Sequence, residues 1–200
     1  MNGLTSTFLK ARHWQLFVLT FGIPIVFQFV MIGSMMAKVG EGSAPDMPFT
    51  VYYRLFPVMM ILFMSVFFGW FWSVAIGLQT KIPPHVHMSV KRFKILFFIP
   101  VAYMFLLFIF LGGAMSGMIK NAEEPSPEFM ASVAGIVIPL HLFSMFCIFH
   151  SLYFAAKTFK TAELQREVSF SDFAGEFFML WFYPIGIWIV QPKINKMVEE

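Results

Sequence analysis

The chain has 200 residues, 58% hydrophobic and 19% aromatic, with 12% charged and a formal net charge of +3. A soluble domain carries roughly twice that charge fraction. With 28 Phe and 16 Met there is more apolar surface than one soluble core buries, so a soluble globular domain is excluded and lipid is the missing solvent. The small positive balance does not point to nucleic acid, because the charges are distributed as in a membrane protein. The single cysteine, Cys147, excludes an internal disulfide or a cysteine-based metal site.

The opening MNGLTSTFLKARHW does not read as a signal peptide. Its apolar run starts near Trp14 and is too long, with no small-residue cleavage site before charge resumes. Residues 1–13 are therefore expected to stay as a cytoplasmic N-terminus. Four stretches lack Asp, Glu, Lys and Arg: Trp14 to Ala37, Leu55 to Gln79, Ile95 to Ile119 and Phe129 to Ala156. Each exceeds the ~20 helical residues that cross ~30 Å of hydrocarbon. The expected architecture is an all-α polytopic membrane helix bundle. Four transmembrane helices lie within residues 14–160, at about 14–37, 55–79, 95–119 and 130–156, followed by a tail over 161–200.

With both ends inside, the cytoplasmic parts hold eleven of the fourteen Lys and Arg, and only Lys38, Arg54 and Lys120 lie outside. That bias sets the orientation. Trp14, Trp70, Trp72, Trp181 and Trp188 all fall toward the inner side, where indoles favour the interface.

The first hairpin echoes in the second at an offset of 82 residues. Lys38 matches Lys120, Glu41 matches Glu123, Pro45 matches Pro127 and Pro57 matches Pro139. This reads as two tandem hairpins forming a parallel pseudo-repeat, related by an axis along the membrane normal. Helix two carries Ser65, Gly69 and Ser73, and helix four carries Cys147, Ser151 and Ala155, small faces suited to helix contact. Pro57 and Pro139 are expected near helix starts, and Pro24 and Pro100 at kinks.

After helix four the chain turns polar, then apolar again over FAGEFFMLWFYPIGIWIVQPKINK. Ser169 with Asp172 three residues later is a capping-box pattern, so a helix starts there. A fifth span would carry Glu176 into its inner edge, break at Pro184 and Gly186, and export Lys193 and Lys196. An interfacial or re-entrant segment fits better. Asp172 and Glu176 share a helical face and are expected to pair with Arg92 or Lys94, holding the Trp181 to Trp188 turn against the bundle.

The stretch Glu163 to Lys196, carried by the AKTFKTAELQRE entry (Ala156 to Glu167) that leads into it and by the PIGIW and QPKIN pieces, resembles the ending of a group of small four-span bacterial inner-membrane proteins. The resemblance implies a bacterial inner-membrane protein with this tail as a shared feature. It implies no activity.

Candidate chemistry is sparse. His141 and His150 lie nine residues apart on helix four, about 180° around it, so they do not hold one ion or haem together. A packed, hydrogen-bonded His141 is the simpler reading. No span holds an ionisable carboxylate, which disfavours ion-coupled transport. His141 with Ser144 is the one neighbouring base and hydroxyl, and such pairs are mostly packing. The basic loop Lys81 to Lys94 orients the protein and suits anionic lipid headgroups.

The sequence therefore favours a non-enzymatic scaffold or accessory subunit of a membrane complex, in contact with the bilayer and a protein partner. No catalytic residue, metal or cofactor is assigned. The alternative is a small carrier or lipid-handling protein with a pocket between the two repeats. A third reading, a haem or metal-binding subunit, rests on the histidines alone.

Overall fold

A computed structural model of the chain describes residues 3–40, 46–121 and 126–199, and every regular element among them is a helix. Four helices are long and apolar enough to cross a membrane: His13–Ala37, Leu55–Lys81, Val90–Gly113 and Pro127–Leu164. They coincide with the four expected spans. The chain is thus built as a polytopic helical membrane protein with further helices at its C-terminus.

A short helix α1 (Gly3–Lys10) comes first, and the chain breaks at Ala11 and Arg12 before α2 (His13–Phe17). The first span then widens into a π-turn over Val18–Gly22 and continues as α3 (Ile23–Gly40). The cause lies at Pro24, which has no N–H and whose ring crowds the carbonyl of Thr20, four residues back. The buried Thr20 hydroxyl donates to the Leu16 carbonyl at 2.6 Å, adding a bond inside the widened turn.

Helix α4 (Asp46–Trp72) carries the second span, which closes through a π-turn, Ser73–Gly77, and a 3-10 turn, Leu78–Lys81. Helices α5 (Val90–Asn121) and α6 (Pro127–Leu164) carry spans three and four. Pro57 and Pro139 lie well inside α4 and α6 rather than near their starts, because both helices begin in the segments read as loops. Pro100 sits within the unbroken α5. Glu41, Pro45 and Glu123, on which much of the 82-residue register rests, lie outside the described residues.

Helix α6 runs on to Leu164, so the polar stretch after residue 156 extends the helix instead of opening a tail. Its end is closed by Gln165, at φ 52°, whose amide donates to the carbonyls of Lys81 at 2.8 Å and Ala162 at 2.7 Å. That side chain satisfies an orphan carbonyl at the helix terminus while the backbone takes the left-handed cap. Helices α7 (Phe170–Trp181) and α8 (Tyr183–Glu199) follow.

The chain divides into two compact units, residues 1–86 with 155–200, and residues 87–154. In the first, burial concentrates in the added helices and at the ends of the spans that meet them. Leu9, Leu16, Trp70, Val74, Leu78, Phe159, Phe173, Ile187 and Ile194 are fully buried. In α8 the buried positions are Tyr183, Gly186, Ile187, Val190, Gln191 and Ile194, one face at helical spacing. Farther out, Val26, Phe29 and Val30 are exposed, the expected state of a lipid-facing surface. In the second unit, Phe93 stacks on Phe154 with centroids 4.7 Å apart, joining the start of α5 to α6.

Candidate functional site

The polar chemistry of the first unit gathers where α1, the end of α6, α7 and α8 meet. Helix α1 ends at Lys10, leaving carbonyls that no backbone N–H reaches. The amide of Gln191, fully buried on α8, donates to the carbonyls of Phe8 at 3.2 Å, Leu9 at 3.2 Å and Ala11 at 2.7 Å. Asn195, one turn on, donates to Leu9 and Ala11 at 2.8 and 3.1 Å. The Gln191 carbonyl oxygen accepts the indole N–H of Trp70. One glutamine therefore links the N-terminal helix, the second span and the C-terminal helix.

Helix α1 rests on the small face of the second span. A side chain at Gly69 would come within 2.7 Å of the Phe8 ring. The face read as Ser65, Gly69 and Ser73 thus serves helix packing, and α1 is the helix that uses it. A cavity of about 410 Å³ remains between them, lined by Leu4, Thr5, Phe8, Val66 and Trp72 among others.

A second cluster joins α6 to the tail. Lys160 donates to Glu163 at 2.7 Å and to Glu176 at 2.9 Å, while Lys193 lies 3.3 Å from Glu163 and 3.9 Å from Glu176. The four charges sum to zero. Glu176 occupies the buried face of α7 with Phe173 and Leu180, where an unpaired carboxylate would be costly. Asp172 accepts from the Ser169 backbone N–H at 2.8 Å, closing the predicted capping box, and from Arg166 at 2.8 Å. The Arg166 guanidinium, with the Ser169 bonds, holds the Asp172 carboxyl well below the usual carboxylate range.

Asp172 pairs with Arg166, and Glu176 with Lys160 and Lys193, because α7 folds back on the end of its own preceding helix. Arg92 and Lys94 are exposed on the first turns of α5. Trp181 and Trp188 are 48% and 46% exposed. Trp181 stacks on Phe182 at 5.8 Å, and Trp188 packs on His13 at 4.6 Å and Phe17 at 5.5 Å. The turn between α7 and α8 falls at Phe182, so Pro184 is the second residue of α8 and not part of the turn.

In the second unit His141 places Nδ1 3.4 Å from the Tyr103 hydroxyl, a long contact. Tyr103 also lines an apolar cleft of about 390 Å³ between α5 and α6, with Leu106, Phe110, Phe129, Ile136 and Leu140 among others. His150 Nδ1 is buried, with no hydrogen-bond partner among the described residues. No group of three or more His, Cys, Asp or Glu that suits a metal occurs among the described residues.

Sequence reasoning missed Gln191, Asn195, Lys160 and Lys193. The signal for the first two was present: amides four residues apart on one helical face, beside an apolar run that must meet another element. Lys160 and Glu163, three apart, were equally legible as a pair. Comparison with protein-family models, curated proteins and solved structures finds no match to this chain.

Proposed function

We propose that the chain is a non-enzymatic scaffold or accessory subunit of a bacterial inner-membrane complex, within the group its tail resembles, with both termini cytoplasmic. The observation that carries this reading is that the polar side chains of the first unit bind the chain's own helices. Gln191, Asn195, Lys160, Glu163, Glu176, Arg166 and Asp172 all hold one helix to another or cap a helix end. None is arranged around a cavity as an acid, base or nucleophile would be. Large apolar faces of the spans are left for lipid or partner helices, and the basic loop Lys81 to Lys94 for anionic headgroups.

The termini support the orientation. Carbonyls of Phe8, Leu9 and Ala11 accept hydrogen bonds from Gln191 and Asn195, an arrangement that suits termini on one side of the membrane. Crosslinking in native membranes, followed by purification under mild detergent, tests the role. A discrete partner protein recovered in fixed stoichiometry is the expected result. Recovery of the chain alone, crosslinked to nothing, overturns it.

The lipid-handling alternative, which puts its pocket between the two repeats, would have to use instead the cleft within the second hairpin, between α5 and α6. A chain-length-selective lipid retained through purification, and lost in Ile136→Trp, would favour that reading.

A further inference from the structure

The α7–α8 hairpin contains sixteen consecutive residues without an ionisable side chain other than Tyr183, 177–192, bounded by Glu176 and Lys193. The bounding charges meet at the base, Lys193 Nζ lying 3.9 Å from Glu176 and 3.3 Å from Glu163. Measured from the turn at Phe182, the α7 leg to Glu176 is about 9 Å and the α8 leg to Lys193 about 16 Å at 1.5 Å per residue. The longer leg matches the ~15 Å of one leaflet's hydrocarbon, and both are well short of the ~30 Å of the whole core. The hairpin is long enough to enter a leaflet and too short to cross the bilayer.

Its tip is aligned with the spans. The Tyr183 ring lies 5.8 Å from Phe21 on the first span and 5.0 Å from Phe67 on the second. Phe21 is nine residues beyond Arg12, about 13 Å of helix. The inner boundary is marked by Lys10 and Arg12, at the level where Gln191 joins Trp70 to the end of α1. Tyr183 is eight residues before Gln191, about 12 Å along α8, and its ring reaches Trp70 at 5.2 Å, so it stands on the span side of that boundary. Asp172, eleven residues before it, falls about 16 Å back along α7, below the boundary in water.

The tip is also chemically suited to lipid. Phe182 is 59% and Ile185 66% exposed beside Trp181, an apolar surface unfavourable in water. Backbone at such depth must be satisfied internally. Phe182 N–H donates to Phe178, and the N–H groups of Ile185 and Gly186 donate to the Phe182 carbonyl, all within 2.9 Å. Pro184 brings no N–H to satisfy.

We infer that residues 177–192 form a re-entrant helical hairpin, with Trp181, Phe182 and Ile185 among the acyl chains of the cytoplasmic leaflet. The Lys160, Glu163, Glu176 and Lys193 cluster marks the headgroup level. This rests on the reading of cytoplasmic termini.

The test uses the full chain carrying Cys147→Ser, in phosphatidylethanolamine–phosphatidylglycerol vesicles, with single nitroxide labels at Phe182→Cys, Ile185→Cys and Ser171→Cys. Collision with oxygen and with a water-soluble nickel chelate reads depth. The expected result is at least a tenfold higher oxygen-to-nickel ratio at Phe182 and Ile185 than at Ser171. Equal ratios at all three positions place the hairpin in water and overturn the inference. Phe182 and Ile185 ratios typical of the phosphate level also overturn it, because the hairpin would then lie flat.

Labelling Lys196→Cys with an impermeant maleimide in sealed, oriented membranes distinguishes the underlying reading. Modification from outside shows that the tail spans, and rejects cytoplasmic termini whatever the depth profile. Modification from inside alone upholds cytoplasmic termini, and the depth profile then decides whether the hairpin is re-entrant.

Discussion

Trp70 and Gln191, 121 positions apart, share a hydrogen bond at which the two ends of the chain and its second span are joined. Gln191 uses its oxygen for the indole and its nitrogen for three carbonyls of the N-terminal segment. Gln191→Leu keeps the volume but leaves the buried indole N–H and those carbonyls without this partner. Each unsatisfied buried group costs about 1–3 kcal/mol, so a loss of about 2–4 kcal/mol in all is expected. Thermal unfolding in detergent reads it. The double variant Trp70→Phe with Gln191→Leu should recover part of the loss, since removing both partners is milder than removing one. Additive losses would mean that the bond contributes nothing.

Gly186 marks the closest approach of α7 and α8. A Cβ there would lie 1.8 Å from the Met179 carbonyl oxygen, a backbone atom that moves only if the helices part. Gly186→Ala should therefore open the hairpin. Gly175→Ala, on the same hairpin with nothing within 4 Å, should be neutral or slightly stabilising. Limited proteolysis of the two variants side by side checks this. Equal cleavage would mean that the hairpin is not packed as described.

The spans were legible because length and the absence of charge are properties of sequence alone. The Ser169–Asp172 capping box was legible because its spacing is local. The partners of Glu176 were not. Sequence pattern put the carboxylate on a face with Asp172, but gave no distance to any lysine, and the basic loop at Arg92 and Lys94 offered the densest charge. Lys160 and Lys193 flank Glu176 at nearly equal separation because the chain reverses twice, once at Gln165 and once at Phe182. Helix α1 was missed for a different reason. Eight residues with two threonines and a serine have little helical propensity, and the helix forms because Gly69 and Gly77 on the second span give it a surface to pack on.

Acid should loosen the entry to α7. Arg166 and the Ser169 bonds depress the Asp172 pKa from its ordinary 3.8. A depressed carboxylate contributes stability fully above its unfolded pKa, and that contribution is lost as pH falls through the lower folded value. Between pH 7 and about 4.5 hydrogen exchange at Ser171–Phe173 should scale only with its intrinsic rate. Below pH 3.8 protection should fall in the parent and not in Asp172→Asn, which lacks the linkage. Parallel pH profiles would remove the carboxylate from the cap's energetics.

The charge distribution, with both ends of the chain hydrogen-bonded together, carries the topology prediction. A reporter active only in the periplasm and fused after Glu200 should stay silent, while a cytoplasmic reporter at the same position should be active. The reverse pattern would mean that the apolar run of the tail crosses the membrane.

The last prediction concerns Glu176, which sits at 10% side-chain exposure between two lysines. In Glu176→Gln the carboxyl charge disappears while the shape stays. Lys160 keeps Glu163 at 2.7 Å, but the cluster changes from neutral to a net single positive charge. Breaking a fully buried pair by removing one partner costs about 3–5 kcal/mol. Here the site is partly hydrated and Glu163 still compensates one lysine, so about 1–2 kcal/mol is the expected loss. The cluster touches the spans only at the polar end of α6, so the spans should stay folded, leaving detergent-phase helicity unchanged. What loosens is the turn from Gln165 to Ser169, where α7 docks back on α6. Trypsin should then cut after Arg166 about tenfold faster than in the parent. Lys160→Met combined with Glu176→Gln removes both the charge and its main partner, and should bring the cleavage rate back toward the parent's. A cleavage rate in Glu176→Gln equal to the parent's would show that Phe173 and Leu180 hold α7 in place without help from the ion cluster.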